Sequence, residues 1–268
     1  MKRSWMLAGE PSAAIKLASN IPVTGGTMTE QLHMSSIEGT YTREFSATVE
    51  AVFPGIVELD RTAFYPMGGG QPADHGNLAW DGGKANVEDV RKKHRLRHMV
   101  EGDLPDVGAT VNGTLDWERR HAHMRMHTSQ HLVSAVVDQM HGARTVGNQI
   151  GDEKSRIDFL PLRLSPAQLS EVEAEANRYL AKDIPITITE AERSELEHDP
   201  LVRSNLSLLP ASIKRLRVIS IGSLDTCPCA GTHVRSTAEI GEVEFIKRDN
   251  KGSGKQRLTY TLKKPGSE

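Results

Sequence analysis

The chain has 268 residues, more than a single hydrophobic core usually serves, so two domains are predicted. Its content of 37% apolar, 25% charged and 4% aromatic residues is that of a globular protein with an aliphatic core, and excludes a disordered or collagen-like chain. With 33 Lys and Arg against 35 Asp and Glu, the formal charge is -2, which excludes indiscriminate binding of nucleic acid, and no apolar run approaches the roughly 18 residues of a membrane span.

Residues 1–33 carry Gly9, Pro11, Pro22, Gly25 and Gly26 in no sustained period, and Lys2 and Arg3 precede no apolar stretch adequate for a signal peptide. A disordered extension is predicted there, with Met28 and Met34 as alternative starts of the functional chain. From Phe45 the period becomes two, with Ala47, Val49 and Ala51 alternating against Ser46, Thr48 and Glu50. Further short runs cover Ile56 to Leu59, Thr62 to Tyr65, Gly76 to Trp80, Ala85 to Val90 and Val111 to Trp117. Short strands between Gly, Pro and Asp turns predict a small β-barrel or sandwich over 34–117.

After Asp116 the period changes to 3.6. Leu132, Val133, Val136, Val137 and Met140 form one stripe and Gly142 supplies a stop, which predicts a helix over 118–141. Ser165, Pro166 and Gln168 make a capping box for a second helix running to Lys182. A strand through Ile184, Ile186 and Ile188, a short helix over Glu190 to Leu196, and strands over Leu216 to Ile221, Glu242 to Lys247 and Gln256 to Leu262 complete the pattern. Residues 118–268 therefore read as a second domain, and the class is α+β with an antiparallel sheet.

Of the 11 histidines, seven crowd between His94 and His141. His127 and His131 lie four apart on the first helix, so their imidazoles share a face one turn apart and two nitrogens can chelate one ion. The alternative is a pair of hydrogen-bonded histidines on a helix shoulder. A metallopeptidase would need Glu directly after His127, where Thr128 stands. Cys229 and His233 are again four apart, and Pro228 and Gly231 make that segment a loop or strand end. The four side chains form a tetrahedral set whose thiolate and imidazoles favour zinc over magnesium or calcium. Cys227 and Cys229, the only cysteines, stand too close for an unstrained disulfide, which predicts reduced thiols and a cytoplasmic setting. Cys227 is read as an inert thiol or an alternative ligand.

His127-Thr128-Ser129-Gln130-His131-Leu132, followed by Cys229-Ala230-Gly231-Thr232-His233-Val234, resembles the editing domain of alanyl-tRNA synthetases and the free-standing AlaX editing proteins. The resemblance includes Phe64-Tyr65-Pro66-Met67-Gly68-Gly69-Gly70-Gln71-Pro72-Ala73-Asp74-His75-Gly76, Ile157-Asp158-Phe159, Glu239-Ile240-Gly241 and Lys251-Gly252. It covers Met28 to Leu262, with Ala230 departing from the commoner Gly. The resemblance implies one zinc ion per chain on His127, His131, Cys229 and His233. It also implies hydrolysis of serine, and of glycine, from the acceptor end of tRNA(Ala), acting in trans because no aminoacylation domain is readable.

The glycine run lacks the Gly-Lys-Ser ending of a phosphate-binding loop. The resemblance instead brings Gly69, Gly70 and Gln71 to the substrate. Thr145, Asn148 and Gln149, just after the metal helix, are the candidate contacts for a serine hydroxyl. Arg91, Lys92 and Lys93, in a run extending through His94, Arg95, Arg97 and His98, and Arg119 and Arg120, near His121, His123 and Arg125, are the expected tRNA track. Lys247, Arg248, Lys251, Lys255 and Arg257 add a third cluster. No obligate protein partner and no membrane is indicated. A zinc-stabilised RNA-binding module without catalysis, or an editor for another amino acid such as threonine, would share the ligand pattern.

Overall fold

Alternating side chains build the first half of the molecule. The computed structural model describes residues 28–199, 202, 204 and 206–263. Its first elements are strand β1 (Glu30–Gln31) and two 3-10 turns, Leu32–Met34 and Glu38–Tyr41. Strands β2 (Glu44–Phe53), β3 (Ile56–Leu59), β4 (Arg61–Thr62), β5 (Gly76–Trp80), β6 (Gly83–Lys92), β7 (Leu96–Gly102) and β8 (Thr110–Leu115) follow. Six of these close a barrel in the order β2-β3-β7-β6-β5-β8. Closure falls to β2, whose first half pairs with β8 and whose second half, beyond a bulge after Val49, pairs with β3. Ala47, Val49, Val57, Leu59, Leu78, Val87, Val111 and Leu115 fill the interior.

Asp116 alone separates the barrel from helix α1 (Trp117–His141). Its carboxylate caps the helix by accepting from Arg119 N at 3.1 Å, and Gly142 ends it with φ +64°. Then come β9 (Arg144–Gln149), β10 (Lys154–Leu160), α2 (Pro166–Leu180), β11 (Ile186–Glu192), α3 (Arg193–Leu196), β12 (Arg215–Ile221), β13 (Asp225–Pro228), β14 (Val243–Asn250) and β15 (Gln256–Leu262). The strands form an antiparallel sheet β14-β15-β10-β9 and a smaller antiparallel sheet β11-β12-β13. The buried faces of α1 and α2 join both sheets in one core around Leu132, Val136, Ile157, Phe159, Val172, Ile219 and Tyr260. The class is α+β, a closed barrel joined to two antiparallel sheets with helices.

Several boundaries differ from the sequence reading. Residues 28–33, assigned to the disordered extension, are folded: Glu30 and Gln31 pair in parallel with Arg61 and Thr62, and His33 is fully buried. The remainder of that extension, 1–27, lies outside the described residues. The strand expected over Thr62 to Tyr65 stops at Thr62, because Asp74 captures the Tyr65 amide at 2.6 Å. The helix expected over Glu190 to Leu196 starts only at Arg193, since residues through Glu192 continue the pairing with β12. Met140, assigned to the apolar stripe, is exposed near the helix end.

Candidate metal centre

Helix α1 presents His127 and His131 on one face, with ring centroids 5.2 Å apart. The turn after β13 delivers Cys229 and His233 to the same point. His233 lies 4.5 Å from His127 and 4.8 Å from His131 between centroids. The Cys229 Sγ is 3.6 Å from His127 Nε2 and 3.4 Å from His233 Nε2. One donor atom from each of the four residues lies within 4.8 Å of all the others. Zn–N bonds of about 2.0–2.1 Å and a Zn–S bond of about 2.3 Å would place tetrahedral donors roughly 3.3–3.7 Å apart, so little inward movement is needed.

The outer nitrogens test the fit. Gln71 Oε1 lies 2.8 Å from His127 Nδ1 and accepts from the Thr232 amide at 3.2 Å, while Gln71 Nε2 donates to Thr232 Oγ1 at 2.9 Å. The backbone N–H identifies that atom as oxygen, so His127 carries its proton on Nδ1. Asp225 Oδ2 accepts from His131 Nδ1 at 3.0 Å. The Thr128 hydroxyl donates to Met124 O at 2.8 Å, so its oxygen accepts from His233 Nδ1 at 3.1 Å. All three imidazoles thus hold Nδ1 protons outward and turn Nε2 lone pairs inward, the arrangement that metal-binding histidines adopt.

The thiol is prepared as well. Burial alone would push the Cys229 thiol up, but before an ion binds, attraction to His127 and hydrogen bonds with His127, His131 and His233 outweigh it and hold the group well below its usual range, a proton between sulfur and Nε2 standing where an ion would otherwise meet the lone pairs. Gly231 N–H donates to Sγ at 3.3 Å. A Cβ on Gly231 would strike the His127 ring, so the turn requires glycine there. Cys227, two residues earlier on β13, is partly exposed with its Sγ 2.9 Å from Ser204 Oγ.

Beside the donors runs a polar chain. Gln130 Nε2 donates to Ser134 Oγ at 2.8 Å, Thr145 Oγ1 donates to the same oxygen at 2.8 Å, and Asn148 Nδ2 lies 3.4 Å from Gln130 Oε1. The glycine-rich loop closes over this chain: Gly70, with φ +85°, has no room for a Cβ against the Asn148 side chain, and its carbonyl accepts from Ile150 N at 2.8 Å. Gly69 lies in the same loop with φ +56°.

Three sequence expectations are corrected here. Gln71 is 1% exposed and its amide is committed to His127 and Thr232, so it orients a donor and is not free to meet substrate. Gln149 pairs across the sheet with exposed Arg156, whereas Asn148 pairs with buried Ile157 and Thr145 with buried Phe159. Alternation therefore puts Gln149 on the face turned away from α1. Arg120 is fully buried in an ion pair with Asp74 and also donates to Thr40 O and Ala63 O, so it is withdrawn from any tRNA surface.

The remaining basic residues are unequal. Lys92 and Lys93 are exposed, while Arg91 pairs with Asp89 at 2.5 Å. Arg119 is partly buried, donating to Ala73 O at 3.3 Å. His98 and His123 are buried. Lys247 and Lys251 share Asp249, Arg257 pairs with Asp158, and Arg248 donates to Leu164 O. Sequence reasoning missed Gln130, Ser134 and the orienting roles of Thr128 and Asp225, although Thr128, Gln130 and Asp225 stand inside the two metal motifs.

Two family profiles match the chain. Residues 216–259 match the threonyl and alanyl tRNA synthetase second additional domain, and residues 23–119 match tRNA synthetases class II (A). The alanyl-tRNA editing protein AlaX-M of Methanosarcina barkeri is 38% identical over 247 residues, covering 88% of this chain and 99% of the relative. AlaX-M of Saccharolobus solfataricus is 35% identical over 241 residues, covering 88% and 100%. An alanine-tRNA ligase of Pyrobaculum neutrophilum is 39% identical over 234 residues, but the match spans only 26% of that enzyme.

Proposed function

The chain belongs to the AlaX alanyl-tRNA editing proteins, and we propose that it hydrolyses the ester joining serine, and also glycine, to the 3′ end of tRNA(Ala), acting in trans in the cytoplasm. The cofactor is one zinc ion held by His127, His131, Cys229 and His233. Bound there, zinc would supply Lewis-acid polarisation beside the ester. The protein's own task is positional: Gln71, Asp225 and Thr128 aim the three imidazoles, while the loop through Gly69 and Gly70 covers the pocket.

The observation that carries the substrate reading is the polar chain from Gln130 through Ser134 to Thr145, with Asn148, which starts one residue before His131. Serine exceeds alanine by one hydroxyl. A site that hydrogen-bonds this hydroxyl rejects the analogue lacking it by about 10⁴ or more, because buried partners are otherwise left unpaired. Thr145 and Asn148 are the contacts assigned to serine. Lys92 and Lys93, with Arg91 and Arg119 at the edge, supply the electrostatic track for the acceptor end.

The test is single-turnover deacylation of seryl-, glycyl- and alanyl-tRNA(Ala) and of threonyl-tRNA(Thr). Fast seryl and glycyl hydrolysis with the alanyl ester spared is expected, and Thr145→Val should slow seryl hydrolysis. Binding of tRNA without hydrolysis would replace this reading with a zinc-stabilised RNA-binding module. Preferred cleavage of the threonyl ester would make the protein a threonine editor.

A further inference from the structure

Arg217 lies on β12 with 9% exposure, yet makes no ion pair with a carboxylate among the described residues. Its Nε donates to Met34 O at 3.1 Å, and its Nη1 donates to Cys229 O at 2.6 Å and to Gly231 O at 3.0 Å. Its Nη2 is buried without a hydrogen-bond partner. A buried guanidinium is costly to keep without an anion, so a chain that needed only packing here would be served by an apolar side chain.

Its contacts are concentrated on one turn. The carbonyls of Cys229 and Gly231 bracket the segment whose Gly231 N–H meets the Cys229 sulfur and where the His127 ring leaves no room for a Cβ on Gly231. Arg217 also accepts the Cys229 N–H on its own carbonyl at 3.1 Å, gripping that residue through main chain and side chain together. A planar guanidinium with fixed donor directions can hold two carbonyls and reach a third, whereas a lysine ammonium is a single mobile point charge.

We propose that Arg217 is a positioning residue of the metal centre, holding the Cys229–Gly231 turn in the shape that presents the thiolate and tying that turn to Met34. The inference rests on the metal reading above. Arg217 acts through Cys229 and touches neither ion nor substrate.

The experiment uses the full chain and cobalt(II) as the probe. In Arg217→Lys and Arg217→Gln, circular dichroism should match the wild type, cobalt affinity measured against a chromophoric chelator should fall about 10- to 100-fold, and the thiolate-to-cobalt charge-transfer band should weaken. The turnover number on seryl-tRNA should fall with little change in KM, and Lys should rescue only in part. Folded variants with wild-type affinity and an unaltered band would overturn the proposal, even if their melting temperature dropped, because that is what a merely structural arginine does.

If neither variant folds, hydrogen exchange on the wild type decides. Cobalt loading should slow exchange in a peptide containing Met34, and unchanged exchange there overturns the link. Failure of the wild type to bind cobalt would instead overturn the metal reading itself.

Discussion

A single oxygen on Thr128 serves three neighbours: it donates to Met124 O, accepts from His233 Nδ1, and accepts from Val234 N at 3.2 Å. Thr128→Val removes all three while keeping the volume. Zinc release to a chelator should then speed up by about 10- to 100-fold, whereas Thr128→Ser should stay near the wild type. Gln71→Leu should behave like Thr128→Val, because His127 would lose the acceptor that fixes its tautomer, and the same chelator assay checks it. The four donors were legible in the sequence because each pair is local, four residues apart. Gln71 was singled out there as a substrate contact, but its role beside His127 was not legible, since the two lie 56 residues apart and only the fold brings them together. Arg119 and Arg120 are indistinguishable as letters, and only the phase of α1 against the barrel turns one toward the surface and buries the other.

At the scale of elements, sequence period located the long strands of the barrel and the helix capped by Ser165, where the hydroxyl accepts from Gln168 N and the Gln168 side chain returns to Ser165 N. Ser165→Ala should cost about 1 kcal/mol in urea unfolding. Strand β7 escaped because only Leu96 and His98 of its residues are fully buried, so charge hid the alternation. Strand β9 escaped because a bulge at Val146 interrupts its alternation, whereas the burial of β10 alternates through Ser155, Ile157 and Phe159.

His98 gives the barrel a pH dependence. Burial, opposed by a hydrogen bond to Val57 O, pulls its imidazole down to about 4. The unfolded chain therefore binds that proton more readily. The contribution is fully present above about pH 6.5, is lost as pH falls from there toward 4, and is constant below. Between pH 7.5 and 5 the stability advantage of the wild type over His98→Gln should shrink by about 2 kcal/mol, measured by urea unfolding. Comparing the two proteins at each pH cancels the acid response of the other histidines.

At the scale of the molecule, Arg120 joins the barrel to the rest by pairing with Asp74 from the helix side, where both are fully buried. Arg120→Met leaves that carboxylate without its partner and should cost about 3–5 kcal/mol, read as a lowered urea midpoint for the whole chain. Because one residue separates β8 from α1, calorimetry of the wild type should show one transition for both cores. The early segment from Met34 to Tyr41 adds a constraint of another kind. Thr40 Oγ1 donates to His233 O at 3.0 Å across 193 residues, the Arg235 amide donates to Tyr41 Oη at 2.9 Å, and Tyr41 Oη donates to Glu239 at 2.7 Å. A ribosome releases Met34 to Tyr41 long before His233, Arg235 and Glu239 exist, when Arg120 can already donate to Thr40 O, and those later partners leave it close behind Cys229. Nascent chains halted before Cys229 should thus present 34–41 to protease while the barrel resists it, and the final stretch of translation should protect that segment and confer metal retention in the same step.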